Sequence, residues 1–238
     1  MVGSEAHLVE VDVVTAACEA LDALGVADYK FRINDRRLLA ALTDKAGISR
    51  EQSQRALVSL DKLDKIGAEG VRRELDKNGF KEESIRSLFL LLGLREGEEL
   101  EPHSLKELTG ALGSFAPVEA VERLDLILNT LRQVVSNPEK ICFDPALARG
   151  TAYYTGPIFE IVVEGFSGSI GGGGRYDGLI GLFSGKKTPA CGISLGFERL
   201  LLLMEERALF PEEVSAGCDL FVAQFPGVDP VPSLVVAG

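Results

Sequence analysis

Four consecutive glycines, Gly171–Gly174, lie inside the stretch SGSIGGGGRYDGLIGLF at 167–183, which holds seven of the chain's 26 glycines. A run without Cβ atoms has few uses. The backbone turns sharply there, cradles a phosphate, or runs as a strand that something approaches too closely for side chains. Spacing separates these readings. No G-x-G-x-x-G register exists in the run, and Gly185-Lys186-Lys187 lacks the hydroxyl residue and the upstream glycine of a P-loop. The flanking segments do not form the strand–turn–helix of a βαβ unit. Phe159, Ile161 and Val163 share one face of a strand before the run, and Cys191, Ile193 and Leu195 alternate in a strand after it. These segments are close in sequence and read as neighbours in an antiparallel sheet.

The rest of the chain divides by period. Residues 8–24 place apolar groups at helical spacing and end at Gly25. DYKFRIND alternates Tyr29, Phe31 and Ile33 against Lys30 and Arg32, a half-buried strand, and Asn34 and Asp35 can cap the helix RRLLAALTDKAG. Between 48 and 136 five short amphipathic segments follow one another, joined at stop and start signals such as Asn78-Gly79, Gly93 and Pro117, with REGEELEP at 95–102 as a surface loop. Strand patterns resume after Asn137-Pro138, and Gly196 separates the strand at 191–195 from a helix. DLFVAQF at 219–225 is a further strand candidate, standing alone at the end of the chain. The fold class expected is α+β, an antiparallel sheet flanked by helices with an all-helical module inserted. The divisions fall at 1–47, 48–136, 137–210 and 211–238.

Composition excludes several functions. A net charge of −11 argues against a chain that wraps nucleic acid by bulk electrostatics, although a local basic patch, for instance around Arg72 and Arg73, is compatible with it. Four dispersed cysteines without a CxxC, and only two histidines, argue against zinc and read as buried thiols. The N-terminus has no basic n-region and the apolar run near Leu200–Met204 is too short to span a bilayer, so a cytoplasmic protein without membrane contact is expected.

Arg149, Tyr153, Tyr154, Arg175, Tyr176 and Arg199 cluster next to glycines. Tyrosine offers a flat face and one hydroxyl to a small planar group, and arginine holds carboxylate or phosphate bidentately. Arg199 falls in the first turn of a helix, where the helix dipole favours an anion. Each residue singly has an ordinary surface or core reading. Together, on strands of one sheet, they read as a polar, aromatic-lined pocket.

Three ordered motifs carry a resemblance. ARGTAYYTGPIFE at 148–160 resembles the R-G-L-D-Y-Y-T-G-x-x-F-E signature of histidyl-tRNA synthetases, GGRYDGL at 173–179 resembles their second histidine-specific motif, and TPACGISLGFERL at 188–200 resembles class II motif 3. FRINDRRLL at 31–39 and DKLDK at 61–65 are also similar to that family. The resemblance implies part of a class II synthetase sheet and a two-step reaction: histidine and ATP, with Mg²⁺, give histidyl-adenylate, and tRNA(His) then accepts the histidyl group. It implies Arg149 as the catalytic arginine at the α-phosphate and substrate carboxylate. It also implies Tyr153, Tyr154, Tyr176 and Gly174 around the histidine, and Arg149, Arg199 and Gly196 around ATP. The helical stretch corresponds to an insertion domain facing the tRNA acceptor stem, and DLFVAQF to the start of an anticodon-binding domain. Motifs 1 and 2 of the family, the first of which builds its homodimer interface, are not among these residues. Thr151-Ala152 stands where Leu-Asp is usual. An internal fragment, inactive alone, is the reading these departures imply. The alternative is a non-catalytic histidine-binding paralogue, a regulatory subunit of histidine biosynthesis or a sensor of uncharged tRNA.

Overall fold

A computed structural model describes residues 1–94, 103–149 and 153–211, with isolated positions 226, 227, 229, 231 and 235. The surface loop expected at 95–102, the Thr151-Ala152 departure and the strand expected at 219–225 lie outside the described residues.

The fold is α+β. Helix α1 (Leu8–Ala23) ends in a turn at Gly25, whose φ of +75° suits glycine. Strand β1 (Tyr29–Asp35) follows, with Tyr29, Phe31 and Ile33 all buried as their alternation predicts. Asp35 caps helix α2 (Arg36–Lys45), accepting a hydrogen bond from the Arg37 backbone N–H at 2.8 Å. The next described elements are all helical: α3 (Arg50–Leu60), α4 (Leu63–Lys77, kinked at Gly67), α5 (Glu82–Leu92), α6 (Leu105–Leu112) and α7 (Val118–Val134). Ser104 and Glu107 close a reciprocal capping box on α6. Helix α7 contacts α2 and α6 and reaches beyond them. It packs on α1 and against β1, and it also touches β2. One continuous core therefore runs from Val9 through the helical stretch to Leu203.

Strands β2 (Ile141–Phe143), β3 (Pro157–Val163), β4 (Ser169–Arg175) and β5 (Cys191–Leu195) complete a five-stranded sheet in the order β2-β1-β3-β4-β5. Three pairings are antiparallel, but β3 and β5, read from the sequence as neighbours, do not pair: the glycine run itself forms β4 between them. The fourth, β1 with β2, is parallel, with Phe31 opposite Ile141 and Ile33 opposite Phe143. A parallel pair needs a long crossover, and the helical stretch between 36 and 134 supplies it. Short helix α8 (Leu179–Ser184) joins β4 to β5, and α9 (Phe197–Glu206) follows β5 after Gly196. Residues 1–3 run along the start of β5: the Cys191 N–H donates to the Met1 carbonyl at 3.0 Å, and Val2 bridges Ala190.

The glycine run is a strand. Gly171–Gly174 pair with β3 on one side and with β5 on the other. The absence of side chains is a packing requirement. A Cβ on Gly173 would be driven into the Gly192 carbonyl and within 2.7 Å of the Ile193 Cα, and one on Gly174 would lie 2.6 Å from the Pro157 carbonyl oxygen. Backbone cannot retreat as a flexible side chain can. Gly173→Ala is therefore expected to destabilise the chain by at least about 1–3 kcal/mol. Gly110→Ala, in open space inside α6, should gain about 0.5–1 kcal/mol from helix propensity. Urea denaturation of the two variants checks both signs.

Candidate functional site

The sheet has two chemically different faces, and arginines mark each. On the face covered by α1, Arg175 at the end of β4 is 4% exposed and meets a fully buried Glu10 on α1, Nε to Oε1 at 2.7 Å and Nη2 to Oε2 at 2.9 Å. Arg123 of α7 reaches the same carboxylate at 2.9 Å, and Asp177 accepts from Arg175 at 3.0 Å. Burial works against the Arg175 charge, but Glu10 and Asp177 more than offset it, so its pKa lies above the ordinary guanidinium value. Arg175 is thus a structural tie between sheet and helix, although the sequence places it in the same cluster as the other arginines.

The opposite face carries the cavities. Arg32 on β1, Glu160 on β3 and Gly172 on β4 are aligned across the strands, Arg32 opposite Glu160 and Glu160 opposite Gly172. The segment 144–149 brings Arg149 to this row. Buried Asn34 holds that segment, donating to the Pro145 and Leu147 carbonyls, each at 3.1 Å, and the Asp144 N–H donates to the Ile33 carbonyl at 3.0 Å. Arg149 ends 3.1 Å from Glu160.

Two cavities meet at Arg149. The first, about 320 Å³, is bounded by Tyr153, Tyr154, the backbone of Gly171–Gly173, Ser194 and Gly196. The second, about 750 Å³, has Arg32, Lys65, Arg199, Phe166 and Ser167 in its wall together with Asp61, Asp64 and Glu160. Arg149 lines both.

The tyrosines form one group. The rings of Tyr153 and Tyr154 lie 4.5 Å apart, and Tyr176 stands edge-on to Tyr153 at 6.1 Å. Thr155 fixes the pair to the end of β4: its N–H donates to the Arg175 carbonyl at 2.8 Å, and its hydroxyl accepts from the Asp177 N–H at 3.1 Å. Burial, and then the neighbouring Tyr153 hydroxyl, push the Tyr154 hydroxyl up, so it stays protonated. Tyr176 and Gly174 do not line the first cavity. Tyr176 lies against Gly192, where a Cβ would lie 2.9 Å from its hydroxyl, and Gly174 gives Tyr154 room, where a Cβ would lie 3.0 Å from the ring.

Arg199, in the first turn of α9, lies over the Phe166 ring with its guanidinium carbon 5.3 Å from the centroid, and it donates to the Ser167 carbonyl. Its Nε is buried without a protein partner. Gly196 caps α9 and donates to the Ile170 carbonyl at 2.8 Å. Arg32, Glu160, Asp144 and Asp64 were not singled out from the sequence as site residues. Arg32 and Glu160 fall inside the motif stretches at 31–39 and 148–160 without a separate role, and nothing local signals that they face one another. Among the described residues no group of three His, Cys, Asp or Glu side chains is placed to hold a metal, and no helix is long and apolar enough to cross a membrane.

The family model for histidyl-tRNA synthetase matches residues 1–200. The chain belongs to the histidyl-tRNA synthetase family. It is 41% identical to a histidine–tRNA ligase of Leifsonia xyli over 240 residues, which is 99% of this chain and 53% of that protein. A histidyl-tRNA synthetase structure from Nostoc sp. PCC 7120 is similar with a TM-score of 0.76 and 28% identity, covering 88% of this chain and 49% of the other. A Bacillus halodurans structure described as an ATP phosphoribosyltransferase regulatory subunit/histidyl-tRNA synthetase shares the fold, with a TM-score of 0.68 at 23% identity over 86% of this chain and 51% of that one. The chain spans about half the length of the curated relatives it matches.

The two faces predict opposite responses in this family member. Arg175→Met leaves Glu10 buried with less compensation and should cost about 3–5 kcal/mol. Arg149, whose side chain is 42% exposed, should tolerate Met within about 1 kcal/mol, because Glu160 keeps Arg32. Thermal denaturation of the pair separates the structural arginine from the one facing the cavities.

Proposed function

We propose that this chain forms the histidine- and phosphate-holding part of a histidine–tRNA ligase. The observation that carries the reading is Arg149 at the junction of two cavities of different chemistry, one aromatic and glycine-walled, the other lined by Arg32, Lys65 and Arg199 together with Asp61, Asp64 and Glu160. A reaction that joins two ligands needs such a group where they meet.

In the reaction, a histidine carboxylate oxygen attacks the α-phosphorus of ATP. A new O–P bond forms, the bond to the β-phosphate breaks, and pyrophosphate leaves, giving histidyl-adenylate. The tRNA(His) 3′ end then displaces AMP in the transfer step. Negative charge accumulates on the α-phosphate oxygens during attack, and the Arg149 guanidinium is always charged and already oriented there, which lowers the barrier electrostatically. The imidazole is taken by Tyr153, Tyr154, Tyr176 and Gly174, the first two of which line the first cavity. Arg199 holds the nucleotide, its stacked guanidinium serving adenine and its free edge the outer phosphate. The Mg²⁺ enters with ATP, and no residue of this chain is assigned to it.

The helical stretch 48–136 is assigned to the tRNA acceptor stem, 211–238 to the start of an anticodon-binding domain, and a cytoplasmic homodimer to the full-length architecture, all on family membership.

Calorimetric titration of the chain with 5′-O-[N-(L-histidyl)sulfamoyl]adenosine, a stable mimic of the adenylate, tests this. Binding is expected, weakened roughly 10- to 100-fold by Arg149→Met or Arg199→Met, as loss of a charge-assisted contact requires. Tyr154→Phe should weaken histidine more than ATP. Histidine binding with no response to ATP or to the mimic would contradict the ligase reading and favour a regulatory histidine sensor.

A further inference from the structure

Arg149 sits on a segment without regular secondary structure, yet its guanidinium must be held at one point between two cavities. The row across the sheet supplies both requirements. Glu160 places a carboxylate oxygen 3.1 Å from Arg149 Nε. Its cross-strand neighbour, Gly172, places nothing: a Cβ there would lie 3.1 Å from Arg149 Nη1. One member of the pair is the anchor and the other is the space that the guanidinium occupies. The second Glu160 oxygen accepts from Arg32 Nη1 at 3.1 Å, and Arg32 is itself paired with Asp144 and, at 2.5 Å, with Asp64 of α4. Glu160 is only 8% exposed. A carboxylate so buried is held as a charge by its cationic partners.

We propose that Glu160 is the positioning residue for Arg149, holding its guanidinium over Gly172 with one oxygen while Arg32 fixes the other. The inference deepens the proposed function, because what Arg149 does for a ligand rests on that reading; the positioning itself does not.

Every charged group facing Glu160 bears on its titration. Burial raises its pKa, Arg149 and Arg32 lower it, and Asp64 and Asp61 raise it; Lys65 and Arg199 line the same cavity, and Asp144 acts through Arg32. The net shift is upward. As pH falls through that raised value Glu160 gains a proton, and Arg149 loses its anchor above the pH at which an ordinary glutamate would release it. Removing Arg32 takes away a cation and leaves the aspartates, so the release must move to still higher pH.

The test is the Arg149 Nε–Hε signal of the arginine-¹⁵N-labelled full chain, assigned by its absence in Arg149→Lys and followed for solvent exchange from about pH 4 to 8. Protection, the exchange rate measured against the intrinsic base-catalysed rate at the same pH, is expected to be high at neutral pH and to fall as pH drops through one ionisation. Glu160→Gln, isosteric and uncharged, should lower the neutral-pH protection by about tenfold, in line with a lost charged partner, and abolish the pH dependence of that protection. Arg32→Met should raise the midpoint, and Arg32→Lys should restore it toward the parent value. Unaltered exchange in a folded Glu160→Gln, or a midpoint that Arg32→Met does not move, overturns the proposal; should Arg32→Met fail to fold, Glu160→Gln decides alone. The same variant should bind the sulfamoyl mimic about tenfold more weakly. A parent chain that shows slow exchange but no affinity for the mimic would sink the ligase reading and support the positioning.

Discussion

The approach of a side-chain-free strand to its neighbours governs this structure. β4 lies between β3 and β5, and at Gly173 and Gly174 the adjacent backbones occupy the volume where Cβ atoms would stand. On the cavity face the same absence at Gly172 leaves room for the Arg149 guanidinium. A sheet normally presents a pleated surface of side chains on both faces. Here one stretch presents bare backbone, and a pocket can be sunk into the sheet. The run has the composition of a phosphate loop, but its conformation is extended, and the cationic groups come from elsewhere in the chain.

That bare strand separates two arginine systems. Arg175, at its end, is bound into Glu10, Arg123 and Asp177 on the helix-covered face, where the charges are extinguished pairwise and tie α1 and α7 to the sheet. Arg149, on the other face, shares one carboxylate with Arg32 and stays partly open to solvent. The same residue type is structural where every donor is satisfied within the protein, and available for a ligand where one edge of the guanidinium is left over.

Much of this was legible locally. The alternation of Tyr29, Phe31 and Ile33, the cap at Asp35, the stop at Gly25 and the strand–Gly196–helix junction depend on neighbours in sequence, and they stand where periodicity and capping chemistry put them. The ordered motifs brought out Arg149, Tyr153, Tyr154 and Arg199, which do meet around the two cavities. Long-range pairing was not legible. The parallel partnership of β1 with β2 joins residues 110 positions apart, Phe31 with Ile141, and a three-residue strand has too short a pattern to announce itself. Glu160, inside the recognised signature, drew no separate role, since its partner Arg32 lies on a strand 128 positions away. Arg175 was grouped with the pocket residues because a buried ion pair with α1 leaves no trace in its own neighbourhood.

The central claim is that the glycine strand and its tyrosines take one ligand, the arginine-lined cavity takes another, and Arg149 stands where they join. A crystal structure of the chain with 5′-O-[N-(L-histidyl)sulfamoyl]adenosine tests it most directly. The account predicts the imidazole against Tyr154 and the backbone of Gly171–Gly173, the sulfamoyl group at Arg149, and the adenine beside Arg199. An imidazole found on the Arg199 side, or a sulfamoyl group out of reach of Arg149, would contradict it.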